Sequence, residues 1–225
     1  MEEFVQDLVS QLNVETVFTI FHFKIFESVV VTWIIMLIMV LIAAWLGHGL
    51  SVQHPSRRQA AAEVIVTKLD ALTEGMLGAK GKQYSGYIAT VLLFLGFANL
   101  IGIIGLKPPT KDINVTAGLA IMSIVLIEAA GVHARGVKGW LKSFAQPIAI
   151  VTPINILEVF IRPLSLCMRL FGNVLGAFVI MEMIKLVCPA IIPAIFSLYF
   201  DIFDGLIQAY VFVFLTSLYI ADATE

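Results

Sequence analysis

The sequence predicts an all-α integral membrane protein with five transmembrane helices and an amphipathic helix on the cytoplasmic side. Of its 225 residues, 60% are hydrophobic and only 13% are charged, whereas soluble domains carry about 25% charged residues. The apolar runs are long enough, at about 1.5 Å per residue, to cross a hydrocarbon core of about 30 Å. The length leaves room for one membrane domain over residues 1–225, and the net charge of −2 predicts no role with nucleic acids.

The first part of the chain combines an acidic leader, one span and an amphipathic segment. Residues 1–27 form the partly amphipathic leader, which has no basic n-region and no obvious cleavage site, so we predict no cleaved signal peptide. The first span is an uninterrupted apolar run over residues 28–47. In residues 56–80, apolar side chains recur at helical spacing opposite charged ones, which predicts a helix lying on the membrane surface, with contact to a soluble partner as the alternative.

Two shorter spans follow. The second covers residues 84–105 and stops before Pro108 and Pro109, because neither proline can donate a helix hydrogen bond. After a short polar connector, the third span covers residues 115–133 and contains Glu128 within its apolar pattern.

The last two spans, over residues 148–186 and 194–221, form a helical hairpin, with Pro189 and Pro193 at the reversal. The pattern of the first helix extends over about 50 Å, which exceeds the thickness of a bilayer. We therefore expect the hairpin to be strongly tilted or bent, with Pro163 as the expected bend.

The basic residues orient the bundle. Loops 48–83 and 134–146 hold eight of the fourteen lysines and arginines, so the positive-inside rule places these loops in the cytoplasm. With five spans, the N-terminus then lies outside and the C-terminus in the cytoplasm.

The first hairpin helix carries a stripe of polar and small residues, at the centre of which is Arg169. A guanidinium stays protonated at any biological pH, and at the centre of a bilayer it costs about 2.5–3.5 kcal/mol on insertion scales. This cost predicts that Arg169 acts on a moving ion or on a partner's charge. Within about 60° of one line, at about 100° per residue, the stripe contains Glu158, Arg162, Ser165, Arg169, Asn173 and Gly176.

Other members of this stripe have simpler explanations as well. Glu158 and Arg162 have the spacing of an i,i+4 ion pair near the cytoplasmic end, and Arg162 can also snorkel to the interface. Gly172 and Gly176 allow close packing inside the subunit, or alternatively provide a smooth surface that slides against another subunit.

The second hairpin helix carries its own polar stripe, formed by Asp201, Asp204 and Gln208. A turn near residues 188–191 would bring Gln208 level with Arg169. Together with Glu182 and Glu128, the two aspartates make four carboxylates that we expect on the outer half of the bundle, against Glu158 on the inner half. This division predicts two separate aqueous paths that relay protons or pass sodium ions, with acids merely solvated at the helix ends as the alternative.

The sequence contains no constellation typical of an enzyme or a cofactor site. It has no HExxH motif, no nucleophile elbow and no glycine-rich phosphate loop. Cys167 and Cys188 lie in apolar stretches and provide neither a disulfide framework nor a metal spacing. We expect no metal and no cofactor.

The run Arg169-Leu-Phe-Gly-Asn173, preceded by Thr152-Pro-Ile-Asn-Ile-Leu-Glu158 and Arg162-Pro163, strongly resembles the signature of subunit a of the F-type ATP synthase membrane sector. The segment from Gln208 to Tyr219 resembles the last helix of that family, and the segment from Asn99 to Thr116 resembles its second-span exit loop. The resemblance covers most of residues 85–222.

This resemblance implies a stator beside a ring of c subunits in a bacterial inner membrane, together with a peripheral stalk of b subunits and, indirectly, the F1 ATPase head. Ions would reach a carboxylate on the ring through one half-channel and leave through another. Arg169 matches the family's essential arginine and Gln208 its polar partner. A self-contained transporter is the main alternative and an intramembrane enzyme a third one.

The chain departs from the family at two positions. Many members have a glutamate nine residues after the arginine, where this chain has Phe178, and Glu182 one turn further is the expected substitute. Some members have a histidine seven residues before the glutamine, where this chain has Asp201.

Overall fold

The computed structural model describes residues 16–20, 23–51, 56–104, 107–145, 149–187, 193 and 196–224. Within these ranges, five helices are long and apolar enough to cross a membrane. The predicted fold class, an all-α multi-pass membrane protein, is thereby confirmed. The expected reversal at residues 188–191 and the first part of the leader lie outside the described residues.

The chain begins with a small antiparallel hairpin of strands β1 (Thr16–Ile20) and β2 (Phe23–Phe26), which leads directly into α1 (Glu27–Gly47). Helix α1 is apolar on all sides and buries only a narrow face, where Val31 and Ile35 pack against Ala98 and Ile101. Most of its surface is therefore left for contact with lipid.

Helix α2 (Arg57–Gly81) starts at Ser56, whose hydroxyl accepts a hydrogen bond of 3.2 Å from the backbone N–H of Gln59. Such a cap satisfies one of the N–H groups that a helix start leaves without a partner. The helix kinks at Gly78, where φ is +68°, a conformation that glycine adopts without steric cost. Its C-terminal part is fixed in the protein core, since Leu77 is fully buried.

Helices α3 (Ser85–Leu100), α4 (Ile113–Ser143), α5 (Thr152–Val187) and α6 (Gly205–Thr224) form the bundle. Short 3₁₀ segments flank them at Lys82–Tyr84, Ile101–Ile104, Pro109–Lys111 and Ala149–Val151. Helix α6 packs against α2, α3 and α4, whereas α5 packs mainly against α4. The common core consists of fully buried side chains from all four helices, among them Ile88, Leu95, Ile127, Leu166, Leu170, Phe212 and Val213.

Helix α4 is longer than the predicted span and contains a break. At Gly136 the backbone has φ +70° and ψ 161°, which is not helical. The segment after the break turns back on the helix, so that the indole Nε1–H of Trp140 donates a hydrogen bond of 2.8 Å to Oε2 of Glu128. Gly131 makes room for this return, because a Cβ there would lie 3.3 Å from Cδ1 of Trp140.

The two hairpin helices differ in regularity. Helix α5 continues through Pro163, the expected bend, as a single helix of 36 residues. The last helix instead opens with a π-helical segment, Leu198–Asp204, before α6 begins. The sequence did not predict this segment, although π-helical turns are frequent at functional sites.

A buried polar contact fixes the junction between the π-helical segment and α6. The side-chain amide of Asn99 donates to the backbone carbonyl of Gly205 at 2.9 Å and accepts a hydrogen bond of 3.0 Å from the hydroxyl of Thr110. The two backbones approach closely here, since a Cβ at position 205 would lie 2.9 Å from Cβ of Asn99. Only glycine fits at this position without a shift of its neighbours.

We expect Gly205→Ala to lower the thermal stability of the protein, because overpacking costs about 1–3 kcal/mol. The matched control is Gly118→Ala in α4, where a Cβ meets nothing within 4 Å of the described atoms and alanine gains up to about 1 kcal/mol of helix propensity. Thermal unfolding of the purified complex in detergent measures both. Equal changes of the melting temperature in Gly205→Ala and Gly118→Ala would contradict the close contact between Gly205 and Asn99.

Candidate functional site

Arg169 lies on an exposed face of α5. The neighbouring side chains Leu166 and Leu170 are buried at 2% and 0% exposure, whereas Leu164 and Met168 stand on the exposed side. Within the part of the chain that the structure describes, no hydrogen bond or ion pair joins the Arg169 guanidinium to another residue. A permanent charge on an exposed face of a membrane-spanning helix is costly, and no described residue of this chain supplies a counter-charge.

The two glycines that follow Arg169 do not pack closely against any described part of the subunit. At both Gly172 and Gly176, an added Cβ would meet no described atom within 4 Å. Gly172 is exposed and Gly176 half-buried. Close packing within the subunit therefore does not account for these glycines in the described residues, and the alternative, a smooth surface against another subunit, remains.

One turn beyond Arg169, a polar contact connects the two hairpin helices. The side-chain amide of Asn173 donates to Oδ2 of Asp204 at 2.9 Å and to Oε1 of Gln208 at 3.4 Å. Gln208 is 6% exposed, and its Nε2 has no hydrogen-bond partner among the described residues. The structure thus places Gln208 against Asn173, next to the turn of α5 that carries Arg169.

This contact forms one wall of a cavity of about 430 Å³, called here the Asp204 cavity. Three carboxylates line it, Glu182 from α5 and Asp201 and Asp204 from the π-helical segment. Asp201 lies against Gly102 in the cavity wall, because a Cβ added at Gly102 would lie 3.0 Å from Oδ1 of Asp201. The structure therefore brings together three of the four acids predicted for the outer half, together with Asn173 and Gln208. The full lining is Asn99, Gly102, Lys107, Pro108, Lys111, Asn173, Val174, Ala177, Phe178, Met181, Glu182, Lys185, Ser197, Phe200, Asp201, Asp204, Gly205 and Gln208.

Lysines also line the Asp204 cavity, which the sequence did not indicate. The Lys185 ammonium forms an ion pair of 2.6 Å with Glu182. Nζ of Lys111 lies 3.5 Å from the ring centroid of Phe178, the position at which the family resemblance leads one to expect a glutamate. Burial lowers the pKa of Lys111, and the nearby positive charge of Lys107 adds to this effect. The attraction of Glu182 and Glu27 opposes it, and the resulting pKa is about 8.

A second cavity, of about 400 Å³, lies at the other end of α5 and is called here the Asp222 cavity. Nη2 of Arg162 lies 3.0 Å from Oε1 of Glu158 and 3.0 Å from Oδ2 of Asp222. The Arg162 guanidinium also lies 4.9 Å from the ring centroid of Tyr219. The i,i+4 pair predicted from the sequence is present, and Asp222, which the sequence analysis missed, joins α6 to it. The sequence offered one indication of this role, namely that Asp222 is an acid at the end of the last apolar helix.

We expected Glu128 on the outer half of the bundle, together with Glu182, Asp201 and Asp204, and this expectation was wrong. Glu128 lines the Asp222 cavity together with Glu158, not the Asp204 cavity. Helix α4 starts next to Lys111 in the Asp204 cavity and rises about 1.5 Å per residue, so Glu128 lies about 22 Å further along, at the opposite end. The break at Gly136 and the bond from Trp140 then hold it there. Six described carboxylates line the two cavities, Glu182, Asp201 and Asp204 in one and Glu128, Glu158 and Asp222 in the other.

Arg169 lies between the two cavities. Along α5, Arg162 lines the Asp222 cavity and Asn173 lines the Asp204 cavity, and Arg169 itself belongs to neither lining. The distance along the helix axis from Arg162 to Asn173 is about 16 Å. A fixed positive charge therefore stands between two polar openings in an apolar wall.

Comparisons with known proteins match most of the sequence of this chain. The family model of the ATP synthase A chain matches residues 29–221. A protein of Propionigenium modestum described as ATP synthase subunit a, sodium ion specific, is 34% identical over 217 residues, which cover 89% of this chain and 75% of that protein. The ATP synthase subunit a of Moorella thermoacetica is 35% identical over 207 residues, covering 90% and 94%. ATP synthase subunit a 1 of Hahella chejuensis is 36% identical over 203 residues, covering 90% and 86%.

The lowered pKa of Lys111 predicts unusual amine reactivity. Only the neutral amine is a nucleophile, so acylation of Lys111 should rise with a midpoint near pH 8, against about 10.4 for an ordinary solvated lysine. A pH series of brief acylation of the purified complex, quantified on peptides by mass spectrometry, measures this midpoint. The exposed Lys138 provides the internal reference. A Lys111 midpoint at the ordinary value would contradict the burial of its ammonium.

Proposed function

Because the chain belongs to the ATP synthase A chain family, we propose that it provides two offset half-channels that carry protons or sodium ions to and from carboxylates on a rotating ring of c subunits. The family assignment itself makes the chain the ion-translocating membrane subunit of the Fo sector, which is not a catalytic subunit. As a stator, it would couple the flow of ions to rotation and so to ATP synthesis.

The observation that supports the stator role best is the exposed Arg169, which has no counter-charge among the described residues of its own chain. A carboxylate on a passing ring helix supplies that charge. The fixed guanidinium favours the ionised form of the carboxylate and so releases the bound ion. It also repels any cation that would pass directly from one opening to the other. Each charge that crosses gains about 2.3 kcal/mol per 100 mV.

The two cavities are suited to the two half-channels. In the proposed orientation, the Asp204 cavity opens to the outside and the Asp222 cavity to the cytoplasm, with the N-terminus outside and the C-terminus in the cytoplasm. The excess of lysine and arginine in loops 48–83 and 134–146 supports this orientation. Hydrated carboxylates in such cavities can relay protons or pass sodium ions.

Two of the acids relate to the positions at which this chain departs from the family pattern, Phe178 and Asp201. Glu182 and Asp201 line the same cavity as Asp204, which supports Glu182 as the substitute for the glutamate absent at Phe178. Asn173 and Gln208 form the inner end of this path, next to Arg169. The exposed Gly172 and the half-buried Gly176 form the smooth surface past which the ring helices move.

The proposed partners follow from this role. The apolar face around Arg169 contacts the c ring, the remaining apolar surface contacts the lipid bilayer, and b subunits of the peripheral stalk hold the chain against the F1 ATPase head. The relative from Propionigenium modestum is named sodium ion specific. For this chain, sodium dependence of ATP hydrolysis by the purified complex distinguishes a sodium from a proton motor.

We expect Arg169→Ala to abolish ATP-driven ion pumping in inverted vesicles while the complex still assembles, because no other described cation faces the ring at this level. Arg57→Ala, at an exposed position of α2, is the control with the same substitution. Dye quenching and a sodium flux assay measure pumping, and co-purification with the c ring and the head measures assembly. Coupled pumping at the normal rate in Arg169→Ala would refute the proposed function.

We expect Asp204→Asn to slow the uptake of ions from the outer side by about tenfold or more, because the negative charge concentrates cations in the cavity. The asparagine still accepts the bond from Asn173, so the fold is preserved. Phe178→Ala in the same cavity should slow uptake less. ATP synthesis driven by an imposed potential in liposomes reports the rate, and equal rates in the two variants would reject the Asp204 cavity as the outer path.

A further inference from the structure

Three buried hydroxyl groups in the core of the bundle have no hydrogen-bond partner among the described residues. They belong to Tyr87 in α3, Ser123 in α4 and Ser217 in α6. Both serines are 0% exposed, and the side chain of Tyr87 packs against the core. A hydroxyl that gives up its bonds to water on folding and gains no partner destabilises the fold, so each of the three needs an explanation.

Contacts between α3 and α6 show that Tyr87 and Ser217 lie at the same level. The side-chain amide of Asn99 donates to the carbonyl of Gly205 at 2.9 Å, which fixes the two helices against each other. Helix α3 runs towards the Asp204 cavity and α6 runs away from it, so the helices are antiparallel. Tyr87 lies twelve residues before Asn99, and Ser217 lies twelve residues after Gly205. Both are therefore about 18 Å from the Asn99 contact along the bundle.

Ser123 comes to nearly the same level from α4, which runs parallel to α6. A Cβ added at Gly131 would lie 3.4 Å from the backbone oxygen of Ala223, so these two residues mark a point at which the helices touch. Ser123 lies eight residues before Gly131, and Ser217 lies six residues before Ala223. The two serines thus differ by about 3 Å in level. The Tyr87 hydroxyl lies close enough to Ser123 to interact with it.

The serines do not use the partner that hydroxyls commonly find within a helix. Serine and threonine often donate to the carbonyl one turn back along their own helix. Thr216, next to Ser217, does so, and its hydroxyl lies 2.9 Å from the carbonyl oxygen of Phe212. Neither Ser123 nor Ser217 makes such a bond to the described part of its helix. Their hydroxyls therefore remain available to a ligand.

The core is filled less completely at the level of the hydroxyls than one turn further along. Ile127 follows Ser123 on the same face of α4, and Ile220 follows Ser217 on the buried face of α6, with exposures of 1% and 0%. A serine side chain is smaller than an isoleucine side chain, so it leaves space where the isoleucines do not. A buried water needs such space and two to four polar partners.

We propose that Tyr87, Ser123 and Ser217 bind a buried water molecule that bridges α3, α4 and α6. Each hydroxyl can donate and accept a hydrogen bond, as can water, so one molecule can satisfy all three. A metal cation is a poorer match, because three neutral hydroxyls offer no negative charge to offset its own. The proposal does not depend on the function proposed above.

Of the two cavities, the Asp222 cavity lies nearer to this site. Glu128 lies five residues beyond Ser123 in α4, and Asp222 lies five residues beyond Ser217 in α6. Both acids line the Asp222 cavity, about 7.5 Å further along the bundle. Water reaches the site from this cavity, and the bridge fixes the spacing of the two helices that carry Glu128 and Asp222.

A density map of the purified complex in nanodiscs, at a resolution that shows ordered waters, tests the proposal directly. We expect one peak at hydrogen-bond distance, about 2.5–3.0 Å, from all three hydroxyl oxygens. In the triple variant Tyr87→Phe, Ser123→Ala, Ser217→Ala, which has no polar side chain at the site, the peak should be absent.

The melting temperature of the same complex measures what the bridge contributes. Each single variant, Tyr87→Phe, Ser123→Ala or Ser217→Ala, should lower it by about 2–4 °C or more, because the water and the other hydroxyls lose a partner. The triple variant should lose less than the sum of the three, since it leaves no buried polar group to satisfy.

Two variants that remove hydroxyls elsewhere are the controls. Tyr210 is 42% exposed in α6, and the exposed Thr90 of α3 donates to the carbonyl of Gly86 in its own helix at 2.8 Å. We expect Tyr210→Phe and Thr90→Val to leave the melting temperature unchanged.

Three results would overturn the proposal. The first is a map in which the three hydroxyls bond to one another or to carbonyls of their own helices, with no peak between them. The second is a peak with contacts clearly shorter than hydrogen bonds, which would identify a metal cation. The third is an additive loss in the triple variant, which would show that the hydroxyls share no ligand. If the variants do not assemble, the wild-type map decides alone.

Discussion

The structure is organised around a charge that no described residue of its own chain neutralises. Arg169 stands on the exposed side of α5, while the same helix buries Leu166 and Leu170 in the core on its other side. A guanidinium does not lose its proton in a protein, so leaving it against lipid is costly. Burial on one side of α5 and an unmet charge on the other support the proposed contact of this helix with another subunit.

The remaining polar groups are arranged so that this charge separates them. Acids from α5 and the π-helical segment face one cavity near Asn173, and acids from α4, α5 and α6 face another near Arg162. The two groups of acids share no lining residue, so each group belongs to a cavity of its own. In the function proposed above, an ion would pass from one cavity to the other on a moving partner, past the charge of Arg169.

Much of this could be predicted from the sequence, because bilayer thickness fixes helix length and an ionisable residue within an apolar run is conspicuous. The fold class, the pair Glu158–Arg162, and the grouping of Asp201 with Asp204 and Gln208 all rest on such signals. The end of the bundle at which Glu128 lies depends on the helix break at Gly136 and on the hydrogen bond from Trp140. Hydrophobic periodicity predicts neither of them. Lys111 was overlooked because its cavity position comes from buried contacts of Thr110 and Asp112 with distant helices.

The π-helical segment at Leu198–Asp204 has a consequence for comparing this chain with its relatives. A π-helical turn spans i to i+5 instead of i to i+4, so it accommodates one more residue than an α-helical turn of the same height. Residues before it are thereby displaced by one place in helical phase relative to those after it. A relative that lacks the wider turn will present its acid from a neighbouring alignment column, so that equivalent groups in space need not share a column.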